Sequence, residues 1–203
     1  MLVPPLVAAV LAAADLGPRP AAPIINPGGI VNAATNRPAP ENFVSPGAII
    51  SIYGTGLAAV TREVRPEDLD NGFLPETLAG VAVFFGGVPG HVFYVSPLQI
   101  NAQVPTTLQP GEWEARVRVE RLESRERVVV RPYSPGLFGV ARHADGTLVS
   151  RAAPARPGEF LLFFGTGFGP TRPPLLAGAL APNEPTWLTT RIEARIADLT
   201  LAA

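Results

Sequence analysis

The sequence predicts an all-β chain built as two tandem β-sandwich units, the second incomplete. Three observations carry that expectation. The phrase PGAIISIYGTGL at Pro46–Leu57 recurs at Pro157–Phe168 as PGEFLLFFGTGF, and self-similarity on that scale marks two copies of one structural unit. Pro and Gly number 24 and 20 among 203 residues, while charged residues make up only 16%; many short strands joined by tight turns have this composition. Finally, Glu112–Glu120 alternates strictly, with Trp113, Ala115, Val117 and Val119 on one face and Glu112, Glu114, Arg116, Arg118 and Glu120 on the other. Period two is the pattern of a half-buried strand.

The elements follow in order. Residues 1–23 read as an apolar leader and a Pro/Ala linker. Met1–Ala14 is an apolar run ending in small residues, like the hydrophobic region and cleavage site of a secretory signal, although no Lys or Arg precedes it. It is too short to span a bilayer, and no later stretch reaches that length. The first unit is expected over residues 24–133. It opens with an extended segment, Pro23–Ala34, turning at Pro27-Gly28-Gly29. Ala48–Tyr53 is a strand closed by Gly54, and Thr61–Gly72 is a polar, acidic loop. Gly80–Phe85 is a strand, and Gly86-Gly87 is a hairpin signal. Val88–Val95 returns along an edge or at a bulge, because Pro89 lacks a donor. Leu98–Val104 and Glu112–Glu120 are strands, and Arg127–Arg131 pairs with the latter after a charged turn. About six or seven strands without an amphipathic helix point to a sandwich.

The second unit is expected over residues 134–203. Leu137–Arg142 and Thr147–Arg151 flank an Asp145-Gly146 hairpin signal, Glu159–Phe164 repeats the first copy's strand, Pro170–Pro185 is a Pro-rich loop, and Thr190–Ile196 aligns with Thr77–Phe84. Laid along the first copy, the second has no counterpart of Val92–Pro105 or of the hairpin after it. Either the gene is truncated or the second unit is a half-domain packed on the first; an incomplete sheet would leave an unpaired strand edge.

Composition excludes several function classes. A net charge of −1 gives no electrostatic footprint for nucleic acid. The absence of cysteine removes disulfides, thiolate metal sites and Cys nucleophiles.

Three stretches together resemble a known family: Ile24–Ala34 (IINPGGIVNAA), the Pro46–Leu57 phrase, and Leu74–Pro89 (LPETLAGVAVFFGGVP) running on to Tyr94–Pro105 (YVSPLQINAQVP). They are similar to the uncharacterised C-terminal domain expanded in Solibacter and other Acidobacteria, over about residues 24–200, with Tyr94–Pro105 the most specific part. The Pro-Gly to Gly-Thr-Gly phrase also resembles the opening strand of immunoglobulin-like IPT/TIG domains. The resemblance implies immunoglobulin-like sandwiches at the end of exported proteins, with no established activity. The sequence departs from the family in lacking its final Gly-rich hairpin and closing strand.

Candidate chemistry is sparse. Gly54-Thr-Gly56-Leu-Ala-Ala59 matches a dinucleotide fingerprint in letters, but that motif requires a helix to begin at the turn. The second copy, with Pro170, Pro173 and Pro174 close behind its glycines, cannot continue as one. The phrase therefore reads as scaffold, and no cofactor is expected. Asp68, Asp70 and Asn71 form a weak Ca²⁺ candidate on a flexible loop. The spacing is one residue short of an EF-hand and no distal Glu is in register, so a solvated acidic turn is the competing reading. His91 and His143 are far apart and make neither a triad nor a metal triplet. Glu112, Glu114 and Glu120 are expected to pair across strands with Arg127 or Arg131. No residue is assigned a catalytic role. Gln99, Asn101 and Gln103 put three amides on one strand face, which suits hydrogen bonding to a sugar or a peptide and equally suits capping loop backbone within the sandwich. The reading is of an exported structural or adhesive module, secreted or in the cell envelope. It would engage a protein or glycan at the cell surface through loops or by strand-edge pairing with another chain; the alternative is a carbohydrate-binding accessory module.

Overall fold

The structure, a computed structural model, describes residues 22–196 and 199–201; the signal-like leader lies outside them. The chain is all-β. Its strands are β1 (Ile24–Asn32), β2 (Ile49–Thr55), β3 (Arg62–Glu63), β4 (Thr77–Leu78), β5 (Val81–Phe85), β6 (Val88–Pro89), β7 (His91–Val95), β8 (Gln99–Gln103), β9 (Gly111–Val119) and β10 (Leu122–Val130). There follow β11 (Gly136–His143), β12 (Leu161–Thr166), β13 (Thr171–Arg172), β14 (Trp187–Leu188), β15 (Ala194–Ile196) and β16 (Leu199–Leu201). The helical exception is a single 3₁₀ turn at Pro66–Asp68.

Strands β1 to β10 make two sheets, ordered β1-β2-β8-β7-β3 and β10-β9-β5-β4 with β6 on β5, and every pairing is antiparallel. Alternation decides which residues meet between them. From the first sheet Ile30, Ile50, Ile52, Val92, Val95, Ile100 and Ala102 point inward; from the second come Val81, Val83, Phe85, Ala115, Val117, Val128 and Val130. All are buried in one cluster, the pattern of a sandwich with one shared core. The alternation read from Glu112–Glu120 holds: Ala115 and Val117 are fully buried, and Trp113 and Val119 pack against the core from its margin.

Local differences from the sequence reading have local causes. Pro27-Gly28-Gly29 is a bulge within β1, not a turn, with the register slipping between Ile25 and Ile30. The bulge lets β1 serve both sheets: the Ile25 amide donates to Ser124 Oγ at 3.0 Å and the Gly28 amide to Glu126 Oε1 at 3.1 Å. β10 begins at Leu122, earlier than expected, because the turn after β9 takes only Glu120 and Arg121. The ion-pair partner of Glu114 is Arg125, at 3.1 Å, rather than Arg127 directly opposite. A diagonal neighbour two residues away lies within reach of a long side chain. Arg131 instead lies over the Phe43 ring, 3.1 Å from its centroid.

The opening strand pair of the second copy repeats that of the first. β11 pairs with β12 as β1 pairs with β2, each pair with a register slip, and the partner of Gly54 is Ile25 as the partner of Gly165 is Leu137. Gly47 and Gly158 share positive φ (74° and 81°), as do Gly56 and Gly167 (64° and 81°). The expected return after Asp145-Gly146 is short: the His143 amide donates to the Thr147 carbonyl at 2.9 Å and the Val149 amide to the Ala141 carbonyl at 3.0 Å, around a bridge between Arg142 and Leu148. Beyond Val149 the chain loops out, and the other edge of β11 pairs with β12. Among the described residues no second pair of stacked sheets forms. Thr190–Ile196 contributes strand only over Ala194–Ile196.

The β11–β12 hairpin is tied to the sandwich by polar groups. Thr166, one of the few buried polar residues, accepts the Ile49 amide at 2.7 Å; Asn32 Nδ2 donates to the Ser134 carbonyl at 2.7 Å; Ser134 Oγ donates to Ser45 Oγ at 3.0 Å. A second attachment lies at Gly178, whose carbonyl accepts the Leu74 amide at 2.7 Å. Removing a buried acceptor leaves its donor unsatisfied, at a cost of about 1–3 kcal/mol. Thr166→Val, nearly isosteric, is therefore expected to lower stability in urea by about that amount, whereas Thr166→Ser retains the acceptor and most of the stability.

Candidate functional site

The three amides predicted as ligand contacts sit together on the outward face of the first sheet. Pairing of β8 with β2 and β7 places Gln99 beside Tyr53, Asn101 beside Ser51 and Tyr94, and Gln103 beside Ile49 and His91. Ile100 and Ala102 between them are fully buried. Asn101 Oδ1 accepts from Ser51 Oγ at 3.0 Å and from Gln99 Nε2 at 2.8 Å. Gln103 is used at both ends: its Nε2 donates to the Gly47 carbonyl at 3.2 Å, and its Oε1 accepts the Gly178 amide at 2.6 Å. Gln103 is thus a strut between the sandwich and the later chain. Gln99 Oε1 and Asn101 Nδ2 make no hydrogen bond among the described residues. They leave one acceptor and one donor between two tyrosines. Tyr53 is itself tethered, donating from its hydroxyl to Asn36 Oδ1 at 3.1 Å.

The carboxylates of the acidic loop are engaged by groups of the loop itself and by Arg62. Asp68 is paired with Arg62 and accepts the Arg65 amide at 2.9 Å, closing the 3₁₀ turn. These contacts, led by the Arg65 amide, hold its carboxyl below the ordinary range. Asp70 accepts from Asn71 Nδ2 at 2.9 Å in its own tight turn. Among the described residues no three His, Asp or Glu side chains are grouped to hold a metal ion.

The two histidines are shifted in opposite directions. His91 packs its ring against Gly178 with Nδ1 buried and unpartnered; burial pushes its pKa down, against the opposing charge of Glu76. His143 faces two acceptors, the Glu159 carboxylate at Nδ1 and the Ala153 carbonyl at Nε2, the latter at 3.1 Å. Only an imidazolium donates to both. The Glu159 hydrogen bond first, then the Ala153 carbonyl, raise its pKa, and His143 in turn lowers that of Glu159. The pair closes an open groove of about 740 Å³ lined by Asp145, Thr147, Pro154 and Arg156 among others.

The sign of the pH dependence follows. A raised histidine pKa gives stability that is complete below the unfolded value and lost as pH rises through the folded one; a depressed glutamate pKa gives stability lost only as pH falls through that lower value. The latch between β11 and residue 159 therefore holds across mildly acidic to neutral pH. Amide protection factors over residues 144–158 are expected to fall as pH rises above the ordinary histidine value of 6.5 and through the raised one, and His143→Ala is expected to abolish that fall.

The feature that alternation within the repeat did not isolate is the state of β12. By the repeat, Leu161 and Phe163 stand where Ile50 and Ile52 lie in the core, and Phe160, Leu162 and Phe164 stand where Ile49, Ser51 and Tyr53 lie. The β2 residues Ile50 and Ile52 are fully buried, whereas Phe160 is 87% exposed, and Leu162, Phe163 and Phe164 are each about half exposed. Among the described residues β12 is paired on one side alone, by β11. Among the described residues no strand pairs with the edge that in β2 is covered by β8. It carries no charge from Phe160 to Phe168 and has none of the lysines, prolines or inward charges that usually guard an edge. By contrast, the C-terminal end of β10's outer edge is covered by Val44, which exchanges hydrogen bonds with Val129 and Arg131.

No helix among the described residues is long and apolar enough to cross a membrane. No family model and no curated protein matches this sequence.

Proposed function

We propose that this protein is a non-catalytic, exported structural or adhesive module that binds a partner at the cell surface through a sheet edge. The observation that supports this reading most is the uncharged, apolar β12, exposed on both faces and, among the described residues, open on one edge, beside a well-packed sandwich. Strand addition to such an edge is an established mode of polypeptide recognition: backbone hydrogen bonds give affinity and side-chain alternation gives specificity. The immunoglobulin-like resemblance and the signal-like leader agree with it. The test is retention of the fluorescently labelled full-length chain on intact cells of the producing organism. Retention of the native chain and its loss with Leu162→Lys/Phe164→Lys support the proposal; equal retention of both, or none of either, contradicts it.

A second reading, a carbohydrate-binding accessory module, is favoured by one feature: the free donor and acceptor of Asn101 and Gln99 set between Tyr53 and Tyr94. A glycan array with the native chain tests it. Hits lost on Asn101→Ala support it, and an array without hits removes it.

A further inference from the structure

We infer that the edge of β12 left open among the described residues accepts an antiparallel strand of the same kind as β8: an extended polypeptide segment in which apolar residues alternate with uncharged polar ones. The inference rests on the sheet-edge reading above and names its ligand class. What covers the edge is written in the first copy. β2 and β12 are equivalent strands, with equivalent neighbours β1 and β11 and equivalent glycines at both ends. On the far edge of β2, β8 is paired so that Ile49 meets Gln103, Ile50 meets Ala102, Ser51 meets Asn101, Ile52 meets Ile100 and Tyr53 meets Gln99. That junction is a built interface in this same fold, and it defines the geometry of its open equivalent. The incoming strand would set an apolar residue against Phe163 and a small one against Leu161, with polar residues beside Phe160, Leu162 and Phe164.

Electrostatics agree. The receiving strand is uncharged from Phe160 to Phe168, and the covering strand of the first copy, Leu98–Pro105, is uncharged as well. Pairing of this kind buries no ion, whereas a charged strand would have to desolvate its charges against phenylalanine. The faces of β12 also call for a strand rather than a small molecule. Both are apolar, unlike β2, whose outward face carries Ser51 and Tyr53, and a strand apolar on both faces belongs in a sheet interior.

The experiment uses the full-length chain and a labelled synthetic peptide with the sequence of Leu98–Pro105, read by fluorescence anisotropy and by hydrogen exchange. The expected result is saturable one-to-one binding with new amide protection confined to β12. Leu162→Lys/Phe164→Lys should weaken the affinity on the order of tenfold or more, and the peptide with proline in place of its central isoleucine should not bind. Absence of saturable binding, protection elsewhere, or affinity unchanged in the edge variant would overturn the inference. So would a native chain that is already dimeric through β12 in light scattering, since the occupant would then be a second copy. Peptide binding without retention on cells would leave this inference standing and remove the cell-surface role. Retention on cells without peptide binding would do the reverse.

Discussion

Phe85→Ala is expected to lower the free energy of unfolding by about 3–5 kcal/mol, the usual cost of emptying a large aromatic site in a core. Phe85 is fully buried at the end of β5, with alanine and valine neighbours on β9 and β6. A bare glycine, Gly90, lies where the chain passes from β6 to β7; a Cβ there would stand 3.4 Å from the Phe85 ring and 2.8 Å from the Gln103 carbonyl. Backbone this close on one side leaves little to collapse into the void. A typical domain is stable by about 5–15 kcal/mol, so the loss would take a large share of the total. The midpoint of a urea transition followed by tryptophan fluorescence measures it. Phe160→Ala, the same chemistry at an exposed position of the second copy, should change stability by no more than about 0.5 kcal/mol.

The second large effect is at Gly54. A Cβ on this residue would run into the Ile24 carbonyl and stand 3.1 Å from Ile25 Cα. Both obstacles are backbone, which no rotamer change relieves. Gly54→Ala must push β1 away from β2, and overpacking of this kind costs about 1–3 kcal/mol. Because β1 also bonds Ser124 and Glu126 on β10, the damage spreads to both sheets and should appear as a lower global stability. Gly165 is the same residue in the second copy, its Cβ position 2.5 Å from the Gly136 carbonyl. Gly165→Ala is expected to loosen β11–β12 while leaving the sandwich transition in place. Hydrogen exchange on the two variants separates the cases: global loss of protection in the first, loss confined to the hairpin in the second.

These glycines mark what was legible in the sequence. Local patterns translated well. The strict alternation of Glu112–Glu120 is β9, the doubled phrase is a doubled strand and turn, and Gly54 and Gly165 lie where backbones approach closely. Pairing was harder to read, because partners are chosen by contacts far apart in the chain. Glu114 takes Arg125 instead of Arg127 for reasons of cross-strand geometry, and β11 takes β12 on one edge while the segment just beyond its own Asp-Gly turn bonds only the end of the other. The amide face was legible as Gln99, Asn101 and Gln103, yet nothing local announces that Gln103 spends both ends on Gly47 and Gly178. The polar joint of Asn32, Ser45, Ser134 and Thr166 had no periodic signal at all; each is a single polar residue among apolar or Pro-rich neighbours. The open edge of β12 was legible only by laying one copy along the other.

The two copies also allow the central claim to be tested within one molecule. Backbone amides of β2 are flanked by strands on both sides, while every other amide of β12 points away from β11. Residue-resolved hydrogen exchange on the full-length chain in dilute solution should therefore find protection along the whole of Ile49–Gly54 and alternating protection along Leu161–Gly165. Uniform strong protection along β12 would mean that the edge is already covered, and would contradict the assignment of this strand as the protein's open binding edge.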